Sequence, residues 1–315
     1  MKRSSNQGFL VRYQYPKKLI KWREAFSKRK TIPPAKDPLE PFMSVTDDIL
    51  SVRNARHGLR FTYLMPLVIG LWVLSFVFIG NLFPHPDEIS YAKEKIAYYE
   101  VKEKKGLPYD KQFYAYCKAF FNEKDEYSFL NYLNAVISYS SENHKKSVYF
   151  DIGIALLATI LATLATVFLI TSPRPADIYF DRKRGIVYTW FFGRLAACRF
   201  ENLGFLERKT GMLLYFYCEN KKRKGGYDVV PVTVHPTGKV HLNSERDNDY
   251  FLAQLFNFMD NGKSALITGE SFHRPQPKTY FFIDKKPEPF EERLEKILER
   301  EHVLPDLYAN LKVVN

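Results

Sequence analysis

Few residues of this chain stand at spacings that chemistry requires. Gly262, Lys263 and Ser264 repeat the end of a phosphate-binding loop, whose backbone wraps the phosphates and whose lysine reaches them. That loop needs a glycine five residues earlier, where this chain has Asn257, and no suitable strand leads into it. Nucleotide binding is therefore not expected. The histidines stand at positions 57, 85, 144, 235, 241, 273 and 302, and no two share one helix at metal-ligand spacing. His235 and His241 flank a turn and read as surface residues. Cys117, Cys198 and Cys218 match no zinc pattern, and neither a Gly-x-Ser-x-Gly elbow nor a Cys-His signature occurs. The reading is a chain with no catalytic residues, no metal and no cofactor, and no enzymatic activity is expected of it.

What remains is a set of elements that position a protein in a membrane. Residues 61–85 contain no Asp, Glu, Lys or Arg, and residues 148–171 contain a single charge, Asp151. A bilayer core takes roughly 20 apolar residues of helix. Both runs are long enough, and core helices of soluble proteins seldom stay uncharged all round for that length. The expected spans are residues 61–84 and 148–171. Pro66 removes one backbone donor inside the first and is expected to kink it. Ala155, Ala158, Ala162 and Ala165 share a face of the second, beside Thr159, Thr163 and Thr166. That face suits close packing of one span on the other, with homodimer contact as the second reading. Asp151, about one turn in, is expected to be solvated at the interface.

Charge sets the orientation. Arg53, Arg56 and Arg60 precede the first span, and Arg174, Arg182, Lys183 and Arg184 follow the second, whereas the intervening segment balances its cations with acids. Lys145 and Lys146 abut the second span on its other side and are a minor conflict. Both termini are thus expected in the cytoplasm and residues 85–147 outside it, in the periplasm of a Gram-negative inner membrane. The first 60 residues are polar and basic, so an uncleaved anchor is expected rather than a signal peptide. An impermeant thiol reagent would then label Cys117 and spare Cys198 and Cys218.

Residues 1–60 read as a basic cytoplasmic arm. Leu19, Trp22 and Phe26 lie on one helical face among Lys17, Lys18, Lys21 and Arg23, a pattern suited to lying on an anionic bilayer. Lipid headgroups are the expected anion and nucleic acid is not. Pro33, Pro34, Pro38 and Pro41 mark a linker, and Thr46 reads as the N-cap of a helix running into the first span. Residues 85–147 form a helical, aromatic-rich segment with two or three short helices. Tyr98, Tyr99, Phe113, Phe120 and Phe121 are its candidates for contact with a partner protein. From residue 172 onward, β-branched and aromatic runs alternate with turn signals, at 178–180, 185–192, 195–200, 203–208, 212–218, 227–234 and 239–242. They predict an antiparallel sheet of six or seven strands. Helices at 246–260 and 289–301 pack on it in a cytoplasmic α+β domain, pleckstrin-homology-like by analogy. The four cations at 221–224 read as a solvated turn.

The stretch from Ile178 to Tyr188 resembles a family of bacterial two-span inner-membrane proteins found beside type VI secretion effector genes. Its pattern, Phe-(Asn/Asp)-Arg-x-Arg-x-x-Val-Tyr, falls here on Phe180, Asp181, Arg182, Arg184, Val187 and Tyr188. A later aromatic helix closing on glycine corresponds to Phe251 through Gly262, with Ala253 and Gln254 where the family has further arginine. The match runs from the second span to about residue 265. The resemblance implies an immunity-type protein that binds and neutralises a cognate type VI secretion toxin, one acting on the membrane. The alternative is a membrane-tethered scaffold that holds lipid or a partner through its sheet domain.

Overall fold

A computed structural model describes residues 13–27, 31, 33, 37–208, 211–220, 222–223, 226–238, 243–311 and 313–314. The predicted strand at 239–242, with His241, lies outside these residues, as do Lys221 and Lys224 of the basic turn at 221–224, whose Lys222 and Arg223 are exposed. The protein has two compact units, Met1–Thr62 with Ile170–Asn315, and Tyr63–Leu169. In chain order the strands are β1 (Tyr13–Gln14), β2 (Lys17–Lys18), β3 (Phe42–Val45), β4 (Ile49–Val52), β5 (Ile178–Asp181), β6 (Ile186–Phe191), β7 (Arg194–Arg199), β8 (Gly204–Arg208), β9 (Gly211–Glu219), β10 (Tyr227–Val234), β11 (Phe272–His273) and β12 (Val313–Val314). The helices are α1 (Arg23–Ser27), α2 (Arg56–Leu59), α3 (Met65–Asn81), α4 (Pro86–Lys104), α5 (Lys111–Lys118), α6 (Phe129–Tyr139), α7 (Glu142–Thr171), α8 (Glu245–Asn261), α9 (Phe290–Arg300) and α10 (Leu304–Ala309).

The first unit is α+β, built on a ten-stranded antiparallel sheet ordered β11-β3-β4-β5-β6-β7-β9-β8-β2, with β10 on β9. Side chains alternate between its faces with the period of two of a strand. Phe180 faces the layer holding Phe200, ring to ring at 6.3 Å, and Phe200 in turn meets Phe256 of α8 at 5.9 Å. Its neighbour Tyr179 faces the other way, stacking on Tyr188 and Trp190 at 5.2 Å, and Phe290 of α9 closes on Tyr188 at 5.3 Å. Helices therefore cover both faces. The helix α8 starts in a reciprocal capping box between Ser244 and Asp247 and ends at Gly262, whose φ of 77° suits glycine.

Two parts of this unit differ from the sequence reading. Thr46 does not begin a helix. Its hydroxyl accepts from the Ile49 N–H at 3.1 Å and donates to the Ile49 carbonyl at 3.0 Å, closing the turn between β3 and β4. Residues 42–52 thus join the sheet, with β4 pairing β5 from Ile49 with Asp181 to Val52 with Ile178. The amphipathic face of the basic arm is also covered by protein. Leu19 and Phe26 are buried in the sheet unit's core, with Phe26 stacked on Phe256 at 6.4 Å and Trp22 edge-on to Phe205 at 6.5 Å. The sheet gains strands over the six or seven expected because β2, β3, β4 and β11 come from segments without a strand signal of their own.

The second unit is helical. Among the described residues two helical stretches, within Arg56–Lys104 and Glu142–Thr171, are long and apolar enough to cross a membrane. The 30 residues of α7 extend about 45 Å at 1.5 Å per residue. Leu67, Ile69, Val73, Phe76 and Val77 on α3 are exposed, as are Leu156, Ile160, Leu164 and Phe168 on α7. A soluble core helix buries most such residues. Pro66 falls in the first turn of α3, and the turn before it, Arg60–Leu64, widens to a π-helix. The proline ring crowds the carbonyl four residues back, which a π turn relieves.

The helices α3 and α7 meet through hydroxyls and small side chains. The Ser75 and Thr159 hydroxyls lie 2.6 Å apart, and Trp72 Nε1 donates to Thr166 Oγ1 at 3.0 Å. Thr159 and Thr166 also return bonds to the carbonyls four residues back, at 2.7 Å each. Ala155, Ala158 and Ala162, on the same face, are buried. Packing of one apolar helix on the other accounts for this stripe.

Candidate functional site

Three places merit consideration, and each is built differently. In the helical unit, α4, α5 and α6 enclose a small core of Ala92, Cys117, Phe120, Tyr132, Ala135, Val136 and Val148. His85 caps α4 ahead of Pro86, and Asp110 caps α5 by accepting from the Phe113 N–H at 3.0 Å. A continuous aromatic ladder crosses these helices: Tyr99 contacts Tyr109 at 5.6 Å, Phe113 contacts Tyr116 at 6.0 Å, and Tyr116 contacts Phe120 at 4.9 Å. Phe120, expected as a contact residue, is only 2% exposed and sits edge-on to Tyr132, so it is a core residue. Tyr99, Phe113 and Phe121 are half-buried within the ladder. Tyr98 alone of the five is well exposed, at 50%.

Tyr98 belongs to a stripe that the sequence reading did not assemble. Tyr91, Lys95, Tyr98 and Lys102 follow one another at helical spacing on α4. Lys95 Nζ lies 4.9 Å from the Tyr91 ring and 5.5 Å from the Tyr98 ring, and Lys102 Nζ lies 4.9 Å from Tyr98. The hydrogen bond with Tyr91 holds the Lys95 ammonium above its ordinary pKa. Cation and ring brace each other here, so the stripe presents ordered aromatic surface with positive charge.

Cys117 is 1% exposed, and burial pushes its thiol up to about 11. Cys198 is raised well above its ordinary value and Cys218 to about 12, again by burial. All three thiols stay protonated through the usual labelling range, and only thiolate reacts. The expected labelling of Cys117 therefore does not follow. None of the three should react with an impermeant maleimide at pH 7.5 in the folded protein, and all should react in denaturant. A cysteine replacing Glu123, in the exposed turn after α5, should react at once from the outer side of intact cells. Reaction only after lysis would reverse the orientation.

The second place is the β5–β6 hairpin with Phe180, Asp181, Arg182, Arg184, Val187 and Tyr188. Phe180 and Val187 are fully buried and Tyr188 nearly so. The Asp181 carboxylate accepts from the Arg184 N–H at 2.9 Å, and Arg184 pairs with Glu291 at 3.0 Å. Arg182 donates from its backbone to the Asp48 carbonyl at 2.8 Å and from its guanidinium to the Asp260 carbonyl at 3.3 Å. The C-terminal carbonyls of α8 carry partial negative charge, so an arginine there is well placed. A Cβ on Gly262 would lie 3.7 Å from this guanidinium. The patterned residues and the glycine that ends the aromatic helix thus form one structural joint.

The basic arm divides likewise. Lys18 Nζ donates to Asn202 Oδ1 at 2.9 Å and Arg23 pairs with Asp260, while Lys17 and Lys21 remain exposed.

The third place is a cleft of about 200 Å³ in the sheet unit, lined in part by Arg53, His57, Thr237, Arg274 and His235, which is buried there and not the surface residue expected. Arg53 is held by Glu40 at 2.5 Å and Arg274 by Asp37 at 2.6 Å. The arginine holds the Asp37 carboxyl below its ordinary pKa. His57 Nε2 lies 2.9 Å from the Pro175 carbonyl and 3.4 Å from Asp177, and its buried Nδ1 has no partner among the described residues. Thr237 gives its hydroxyl proton to Asn243 at 2.6 Å. The cleft thus offers hydrogen-bonding side chains held by their neighbours. No group of three His, Cys, Asp or Glu among the described residues could hold a metal ion.

No protein-family model matches the chain, and no curated protein or solved structure is significantly similar to it.

Proposed function

We propose that this is a two-span inner-membrane protein of the immunity type, with both termini cytoplasmic. It binds and neutralises a cognate toxin protein delivered by type VI secretion. The observation that carries the reading is the Tyr91–Lys95–Tyr98–Lys102 stripe: exposed, ordered aromatic surface on a helix of the segment between two apolar helices. Such a surface favours a protein partner, because rigid aromatic rings lose little entropy when they are covered. The mechanism is occlusion, with no catalytic step and no cofactor. A homodimer, read from the alanine face of the second span, remains part of the proposal, and nucleic acid does not enter the reading.

The test is a protection assay in a sensitive host that expresses the toxin encoded beside this protein. Joint replacement of Tyr91 and Tyr98 by alanine should abolish rescue at an unchanged membrane level. Phe120→Ala should instead lower the level itself, because it empties the core of the helical unit. Full rescue by the double variant would remove the stripe as the contact.

The second reading is a membrane-tethered scaffold, supported by the large antiparallel sheet with helices on both faces. Retention of one cytoplasmic partner by the full chain, with no protection from any neighbouring toxin, would move it ahead.

A further inference from the structure

Phe281, Phe282 and Ile283 are consecutive and 73%, 52% and 65% exposed. Their backbone is nevertheless held at several points. The Arg174 N–H donates to the Phe282 carbonyl at 2.8 Å, and the Asp284 N–H donates to the Arg174 carbonyl at 3.0 Å. Arg60 donates to the Thr279 carbonyl at 3.1 Å and lies 4.4 Å over the Tyr280 ring. Trp190 Nε1 donates to the Asp284 carbonyl at 2.8 Å, and the Phe192 N–H donates to the Asp284 carboxylate at 2.7 Å. Phe192, at the tip of the β6–β7 hairpin, is itself 67% exposed. The fold thus fixes a loop and a hairpin tip so that four large apolar side chains face outward. Fixed exposed apolar side chains in contiguous sequence call for a cover.

The tethers identify the cover. Arg60 directly precedes the first apolar run, and Arg174 follows the last residue of α7 by three positions, a reach of about 10 Å at most. Arg60 also donates to the Ser172 carbonyl at 3.3 Å. The points where the chain enters and leaves its apolar helices are therefore the points to which this loop is bonded. Cations flank it in sequence: Lys278, Lys285 and Lys286 are exposed, with Lys286 3.6 Å over the Phe290 ring, while the acid within it, Asp284, is engaged by Phe192. Exposed apolar side chains flanked by lysines, with Arg60 held at Thr279 and Tyr280, match the interface of an anionic bilayer, where rings bury among acyl chains and cations meet phosphates.

We infer that Phe192 and residues 281–283 form a membrane-docking surface, inserting into the bilayer that α3 and α7 cross. This inference rests on the membrane reading. It places the lipid contact of the sheet unit on this loop, and not on the face of Leu19, Trp22 and Phe26.

The test uses the full chain in vesicles of phosphatidylcholine and phosphatidylglycerol, some carrying lipid brominated at shallow acyl positions. A single introduced cysteine bears an environment-sensitive fluorophore, the native thiols being buried. Phe281→Cys should emit to the blue of Glu295→Cys, an exposed position on α9, and brominated lipid should quench it. Leu161→Cys, within α7, monitors insertion of the helix itself. If Leu161→Cys is quenched and Phe281→Cys is not, the docking inference fails while the membrane reading stands. If neither is quenched, the membrane reading falls first and the inference with it. A blue shift at Phe281→Cys without quenching means that protein covers the loop, in a second copy or a partner, and also overturns the inference. As a second variant, Asp284→Ala releases Phe192 and should weaken quenching at Phe281→Cys without changing it at Leu161→Cys.

Discussion

Glu301→Ala is expected to lower the stability of the sheet unit by about 3 kcal/mol, a fall of roughly 6–12 °C in melting temperature for a unit of this size. Glu301 is fully buried, in the 3-10 turn that joins α9 to α10. One of its oxygens accepts from Arg199 at 3.0 Å, and both accept from the Asn202 amide at 3.0 and 3.1 Å. Asn202 in turn accepts from Lys18. One carboxylate therefore ties the C-terminal helices to the end of β7 and, through Asn202, to the N-terminal strand β2. Bonds to a charged group contribute about 1.5–3 kcal/mol each, and their loss is offset here only where Arg199, half exposed, regains water. Glu301→Gln keeps the shape and should lose less. Glu291→Ala breaks an exposed pair with Arg184 and should change little. Thermal unfolding of the detergent-solubilised chain, followed by tryptophan fluorescence, separates the three. Equal midpoints for Glu301→Ala and Glu291→Ala would mean that the buried network does not hold the unit together.

The same network shows where reading a sequence succeeds. The strands from Ile178 to Val234 and the helices α8 and α9 follow from alternation, turn residues and caps within each segment, and the structure places them within a residue or two, whereas no helix is expected at α10. The two apolar helices follow from length and composition alone. Local pattern does not identify what covers an apolar face. Leu19, Trp22 and Phe26 would look the same against lipid as against Phe205 and Phe256, and only the fold decides. Thr46 bonds to Ile49 as a helix cap would bond its first turn, since Ser, Thr and Asp offer the same local bonds in turns as in caps. What makes β4 a strand is β5, far along the chain. The candidate surface was legible in type and partly in place. Aromatic density marked the segment, but only three-dimensional packing separates exposed Tyr98 from buried Phe120. Residues 281–283 carried a signal too, an apolar run between lysines, but its meaning depends on bonds to Arg60 and Arg174 that no local pattern contains.

Gly204→Ala should destabilise the sheet unit by about 2 kcal/mol, which reverses the usual sign for glycine in a strand. Glycine within a strand normally weakens it, so alanine there should help wherever space exists. At Gly204 it does not exist. A Cβ would meet Tyr308 Cδ1 at 2.7 Å and the Cβ of Tyr215 at 2.8 Å. Tyr215 is the residue directly opposite on β9, and Tyr308 lies on α10, with the two rings 6.1 Å apart. Both tyrosines are almost wholly buried, so neither ring can swing out to water. The missing side chain is thus what lets α10 seat its ring on the sheet. Tyr308→Ala is costly by itself, about 3–5 kcal/mol, because it leaves a cavity. In that background, however, Gly204→Ala should cost clearly less than in the native protein, because one of its two collisions is gone. The difference between the two costs measures the seating of α10 directly. A rise in melting temperature for Gly204→Ala alone would mean that α10 does not press on β8, and the path from Glu301 through the C-terminal helices to the sheet would have to be redrawn.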